Sequence, residues 1–130
     1  MKVLVDTCVW SKALRYKASD FDIVERMKEL IKNGAVVMIG PIRQELLSGI
    51  SNMSQFNKLK EVLSAFEDLP LESKHFVKAA EFNNICRKNG IQGSTIDFLI
   101  CAVASIQNLI IFTTDKDFEN YKKYLPIKLL

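Results

Sequence analysis

Four of the fifteen acidic residues in this chain stand beside apolar runs or near helix starts rather than in the usual surface charge pairs. Most of the others have a base three or four positions away: Asp22 with Arg26, Glu29 with Lys32, Glu61 with Lys58, Glu81 with Lys78 and Glu119 with Lys123. Such pairs only weakly support a helix. Asp6 instead follows the apolar run "VLV", Glu45 sits in "PIRQELLSG", Asp97 in "GSTIDFLICAVA" and Asp115 in "LIIFTTDKDF". At helical spacing Glu45 meets Pro41, Ile42, Ser48 and Gly49, and Asp97 meets Gly93, Ser94, Ile100 and Cys101, so neither has a local cation. Brought together, carboxylates repel by roughly 4 kcal/mol per close pair at ~4 Å in a moderate dielectric. A divalent cation is the natural counter-charge, and an oxygen-only set without histidine or thiolate points to Mg2+ or Mn2+. Such an ion acidifies a bound water and neutralises charge on a phosphodiester, which is nuclease chemistry that needs no histidine base.

The elements that must position these acids alternate short β-branched runs with longer helical periods. Lys2 to Val5 is expected as a strand and Thr7 to Arg15 as a helix behind it. Ser19 or Asp20 caps a helix carrying Ile23, Met27, Leu30 and Ile31, which Asn33-Gly34 stops. Ala35 to Ile39 reads as a second strand, and Pro41 starts a short helix through Glu45 and Leu47. An amphipathic helix is expected over Asn57 to Phe66, with Leu59, Val62, Leu63 and Phe66 on one face, then an extended piece at Leu69-Pro70-Leu71. Ser73 to Lys88 forms a long helix carrying Phe76, Ala79, Ala80 and Ile85, and Thr95 to Gln107 a strongly apolar, central one. Leu109 to Phe112 is expected as a strand buried on both faces, Lys116 to Tyr124 as a closing helix and Ile127 to Leu130 as a last strand. The alternation implies an α/β fold, a mostly parallel sheet with helices on both faces. Ligands of such sheets bind beyond the carboxyl ends of the strands, where Asp6 and Asp115 would lie.

The bulk properties agree with one domain over residues 1–130. The chain is 48% hydrophobic and 25% charged, which suits a packed core and argues against disorder. A net charge of +3 permits a nucleic-acid partner without demanding one. The three cysteines, Cys8, Cys86 and Cys101, form no CxxC pair, so a reducing cytoplasm is the expected compartment. No secretory leader is expected, because the apolar stretch Val3 to Val5 is short and ends in Asp6, and no apolar run is long enough to span a bilayer.

In order and spacing, "VLVDTCVW", "GPIRQELLSG", "GSTIDFLICAVA" and "IIFTTDKDF" resemble the four acidic motifs of the PIN-domain ribonucleases. Size and layout are similar to the VapC toxins of bacterial and archaeal toxin–antitoxin pairs. The resemblance covers essentially the whole chain. It implies a PIN-like three-layer α/β/α sandwich and a Mg2+- or Mn2+-dependent endoribonuclease that hydrolyses RNA with metal-activated water. Asp6, Glu45, Asp97 and Asp115 carry over as the catalytic acids, with Asp6, Asp97 and Asp115 as metal ligands. Thr113 matches the hydroxyl of the family's T-x-D element and would orient a carboxylate or water. Asp117, two positions after Asp115, is a further supporting acid; Asp115 is preferred as ligand because it directly succeeds the strand. The resemblance also implies an RNA substrate, a cognate VapB-like antitoxin whose C-terminal segment occludes the site, and frequent homodimerisation.

Each acid also has a plainer reading. Asp6 and Asp115 suit caps, Asp97 suits the first turn of a helix, and Thr7 and Thr95 are expected as caps. Arg15, Lys17, Arg43, Lys116, Lys122 and Lys123 flank the acidic edge and would form a phosphate-holding rim, unless they are ordinary solvated surface. Trp10, Tyr16 and Phe21 are expected in packing rather than base stacking, and His75, the one histidine, in a structural role. A receiver-like phospho-acceptor domain fits less well, since no second acid neighbours Asp6. A haloacid-dehalogenase-type phosphatase would want an aspartate where Cys8 stands, and a serine–histidine hydrolase would want a nucleophile elbow. The remaining alternative is an RNA-binding or processing module of the same fold without activity.

Overall fold

A computed structural model describes all 130 residues. The chain runs β1 (Val3–Val5), α1 (Thr7–Arg15), a 3-10 turn at Ala18–Asp20, α2 (Phe21–Lys32), β2 (Val36–Val37), α3 (Gly40–Leu47) and α4 (Met53–Leu63). It continues through α5 (Ser73–Lys88), α6 (Thr95–Gln107), β3 (Ile110–Phe112), α7 (Asp117–Lys122) and β4 (Lys128–Leu129). The four strands form one sheet in the order β2-β1-β3-β4, every pairing parallel, flanked by the seven helices.

β1 lies between two neighbours, with Val3 opposite both Val36 and Ile110. Its three residues are fully buried, which is why its sequence is an unbroken apolar run rather than an alternating one. α6 is the helical counterpart. Phe98 through Ala104 are buried without interruption, because the helix packs on α5 and on β3 and has almost no wet face. Gly34, with φ +64, supplies the left-handed turn that returns α2 to the sheet.

α1, α5 and α6 occupy the expected spans, and other elements differ in detail. The second strand is only Val36–Val37, after which Met38 makes a lone parallel bridge to Asp68 just before the expected extended piece. α4 begins at Met53 rather than Asn57, because the Asn52 side chain accepts from the Gln55 N–H and caps it early. On α5 the buried side chains are His75, Phe82 and Cys86, while Phe76 and Ile85 are exposed. The face that α5 packs against α6 runs through Phe82 and Cys86. α7 is shorter than expected, ending at Lys122.

Candidate metal centre

The site grows from the strand order. β1 connects onward to β2 on one side and pairs with β3 on the other, so a crevice opens at the carboxyl ends of β1 and β3. Asp6 leaves β1 there and continues its ladder, the Asp6 N–H donating to Phe112 O at 2.9 Å. Asp6 Oδ1 accepts from the Thr7 N–H at 2.8 Å, which caps α1, and Oδ2 accepts from Thr113 Oγ1 at 2.8 Å. Thr113 follows β3 and its hydroxyl also accepts from the Asp115 N–H at 3.0 Å. The Cys8 thiol lies 3.5 Å from both Asp6 Oδ2 and Thr113 Oγ1.

Three helix starts bring the remaining acids. At α6 the Ser94 hydroxyl accepts from the Asp97 N–H at 3.1 Å and so places Asp97 in the first turn. Asp97 Oδ2 accepts from Tyr121 OH at 2.7 Å. At α3, Pro41 sits in the first turn, where its missing N–H costs nothing, and Glu45 lies one turn on. Glu45 Oε1 accepts from Thr7 Oγ1 at 2.7 Å. Asp117 opens α7, its N–H donating to Asp115 Oδ1 at 2.9 Å.

Asp6, Glu45, Asp97, Asp115 and Asp117 thus line one open cleft of about 550 Å³. Asp97, Asp115 and Asp117 form its tightest group, each offering a carboxylate oxygen within 4.8 Å of the others. None of the five acids is in an ion pair; the pairs that close are Glu25–Lys28, Asp68–Arg43 and Glu81–Lys78. Burial raises the pKa of Asp97 above the ordinary carboxylate range, with Asp6 and Asp115 pushing the same way against the hydrogen bonds from Tyr121 and Ser94. Burial also raises the Tyr121 hydroxyl, helped by its bond to Asp97, so it stays a donor. An all-oxygen cluster without a protein counter-charge fits a hard divalent cation.

Asp117 joins Asp97 and Asp115 in that closest group, whereas Asp6, only 6% exposed, sits deeper with both oxygens already accepting. Thr7 and Thr95 were expected as caps, but Asp6 and Ser94 perform that role, and the Thr7 hydroxyl turns to Glu45. Arg43 does not belong to a basic rim. Its guanidinium pairs with Asp68 at 3.0 Å and donates to the carbonyls of Leu63 and Phe66, tying α3 to the end of α4. His75 is buried and structural: Nδ1 accepts from the Glu72 N–H and Nε2 meets Gln107 Oε1. Trp10 is buried edge-on against Phe66. Tyr121 escaped the sequence reading because nothing in "FENYKKY" marks one tyrosine for an acid 24 residues earlier.

A family model of the PIN domain matches residues 3–124. The chain belongs to the PIN domain family. A search of curated proteins finds no match. Among solved structures, this PIN domain is similar to FitAcB from Neisseria gonorrhoeae, at TM-score 0.80 and 22% identity, covering 98% of this chain and 96% of the other. It is similar to VapBC2 from Rickettsia felis, solved bound to a DNA fragment from its promoter, at TM-score 0.80 and 20% identity, covering 100% and 98%. A toxin-antitoxin complex from Klebsiella pneumoniae matches at TM-score 0.67 and 15% identity, covering 90% of each chain. At these identities the likeness is one of fold. No helix is long and apolar enough to cross a membrane.

Proposed function

We propose that this PIN domain is a Mg2+- or Mn2+-dependent endoribonuclease acting as the toxin of a cytoplasmic toxin–antitoxin pair. The observation that carries the reading is the cleft itself: five carboxylates without a protein cation, at the strand ends of a PIN fold. Asp97, Asp115 and Asp117 would hold the ion at the cleft wall, with Asp6 at its base. Bound there, a divalent ion supplies an acidified water and neutralises phosphodiester charge. Glu45, exposed and held only by Thr7, is placed to orient a water or take its proton. Thr113 keeps Asp6 and Asp115 in register beneath it. Lys116, between Asp115 and Asp117, and Lys12, whose ammonium donates to Thr114 Oγ1 at 3.2 Å, pair with no acid and suit RNA phosphates at the rim.

Two apolar surfaces support the partners. One groove, lined by Trp10, Leu14, Tyr16, Met27, Val62 and Phe66, fits an amphipathic segment of a VapB-like antitoxin. The Trp10 indole N–H is buried without an acceptor. On the opposite pair of helices, exposed Phe76 and Val77 border a groove between α5 and α6 that suits a second copy. The deciding experiment is induced expression of wild type and Asp97→Asn in a bacterial host, with total RNA resolved for discrete fragments. Growth arrest with fragments from wild type alone is the expected result. Soluble wild-type protein that neither arrests growth nor cuts RNA with Mn2+ in vitro overturns the reading in favour of an inactive module.

A further inference from the structure

Tyr121 is fully buried, yet its hydroxyl reaches the acid cluster. Its ring stands edge-on to Phe118 and tilted against Phe98, with centroids 5.1 Å away in both cases, so the packing leaves it one orientation. The hydroxyl donates to Asp97 Oδ2 at 2.7 Å, a short bond to a carboxylate. Ser94 also acts on this carboxylate, less strongly than Tyr121. The bond joins the start of α6 to α7, the helix that opens with Asp117, so one contact relates two members of the closest acid group.

Gly93 makes room for this tyrosine. Its φ is not in the left-handed region, so backbone freedom does not explain it. A Cβ there would collide with the Tyr121 hydroxyl and lie 2.9 Å from Tyr121 Cζ and 2.9 Å from Phe98 Cζ. The chain leaves out a side chain where the Tyr121 ring and hydroxyl pack against the start of α6.

We infer that Tyr121 is a positioning residue for the metal centre: its hydroxyl holds Asp97 Oδ2 and so fixes how that carboxylate faces the other acids that would hold the cation. The inference rests on the reading of this cleft as a divalent-cation site. Partners that orient a ligating carboxylate typically change metal affinity by about 10- to 100-fold when removed.

The test is titration of metal-free protein with Mn2+ alone, by calorimetry, for wild type, Tyr121→Phe, Gly93→Ala and Asp97→Asn, with a thermal melt of each. Tyr121→Phe should bind Mn2+ about tenfold more weakly or worse while melting within a few degrees of wild type. Gly93→Ala, whose Cβ would displace the Tyr121 ring, should shift affinity the same way. Cleavage by Tyr121→Phe should recover at high Mn2+, and cleavage by Asp97→Asn should not. Should Tyr121→Phe bind Mn2+ like wild type while Asp97→Asn does not, the positioning role is overturned and the metal centre stands. Wild type that binds Mn2+ no better than Asp97→Asn overturns both.

Discussion

The Thr113 hydroxyl donates to Asp6 Oδ2 at 2.8 Å and thereby joins the carboxyl ends of the two central strands. The same oxygen accepts the Asp115 N–H at 3.0 Å. A single side chain therefore relates the acid after β1 to the acid after β3. It does so 107 residues along the chain from Asp6, in the crevice that the strand order creates.

Thr113→Val keeps the shape and removes both bonds. Asp6, 6% exposed, would lose its hydroxyl donor, and the Asp115 N–H would lose its acceptor. Leaving such groups unpaired costs about 1–3 kcal/mol, which lowers Tm by several degrees in a domain of this size. Cleavage should fall with it, and Thr113→Ser should restore both. A valine variant that melts and cleaves like wild type would show that the strand ends hold their register without this link.

Asp97 predicts an inversion between metal-free and metal-loaded stability. Burial, the largest cause, raises its pKa in the folded chain, and Asp6 and Asp115 add to it. A carboxyl raised in this way favours the folded state when protonated. That contribution is fully present below the unfolded pKa, near 4, and is lost as pH rises through the folded value. Metal-free Asp97→Asn should therefore melt higher than wild type at pH 7.5, by roughly a few degrees. Its advantage should shrink toward pH 4.5. Saturating Mg2+ should stabilise wild type and not the variant. Melts at the two pH values, with and without Mg2+, check all three signs.

Much of this was legible because the central elements are unambiguous. β1 is an unbroken apolar triplet, and α6 is apolar on every side, so each announces its burial without needing a period. The acids at their ends were visible for the same reason, as charges where apolar runs stop. What stayed hidden depends on who meets whom across the sequence. Thr7 reads as a cap until α3 brings Glu45 to its hydroxyl. Arg43 reads as a surface cation until the end of α4 and the chain after it offer two carbonyls and Asp68. On α5, Phe76 is as apolar as Phe82, and local spacing could not tell which faces the core. The closeness of Asp117 to Asp97 depends on how α7 docks, which its own residues do not encode.

The groove proposed to take an antitoxin and the proposed nuclease centre should separate by mutation. Val62, half exposed on α4, lines the groove with Leu14 and Phe66 and touches none of the five acids. Val62→Asp sets a charge into an apolar wall that a partner helix must desolvate. Affinity for the cognate antitoxin should drop by at least about tenfold, equivalent to roughly 1.4 kcal/mol. RNA cleavage by the isolated variant should match wild type. Pull-down together with a cleavage assay reads the two effects; equal loss of both would place the groove inside the catalytic machinery.

Thr7 and Glu45 offer the sharpest test of how an exposed acid of the cleft is aimed. Glu45 has no cation and one hydrogen bond, from Thr7 Oγ1 at 2.7 Å. Thr7 does not cap α1, since Asp6 does, so its hydroxyl can be removed without exposing the helix end. Thr7→Val should change stability by no more than about 1 kcal/mol, the scale of one solvent-accessible hydrogen bond. Cleavage should fall about tenfold or more, because a glutamate free to sample its rotamers is aimed only part of the time. Thr7→Ser should retain most activity. Glu45→Gln should fall further, and adding Thr7→Val to it should cost almost nothing, because the threonine acts only through the carboxylate. Rates for the four variants at one fixed Mn2+ concentration decide the matter: additive losses would mean that Thr7 contributes through some contact other than Glu45.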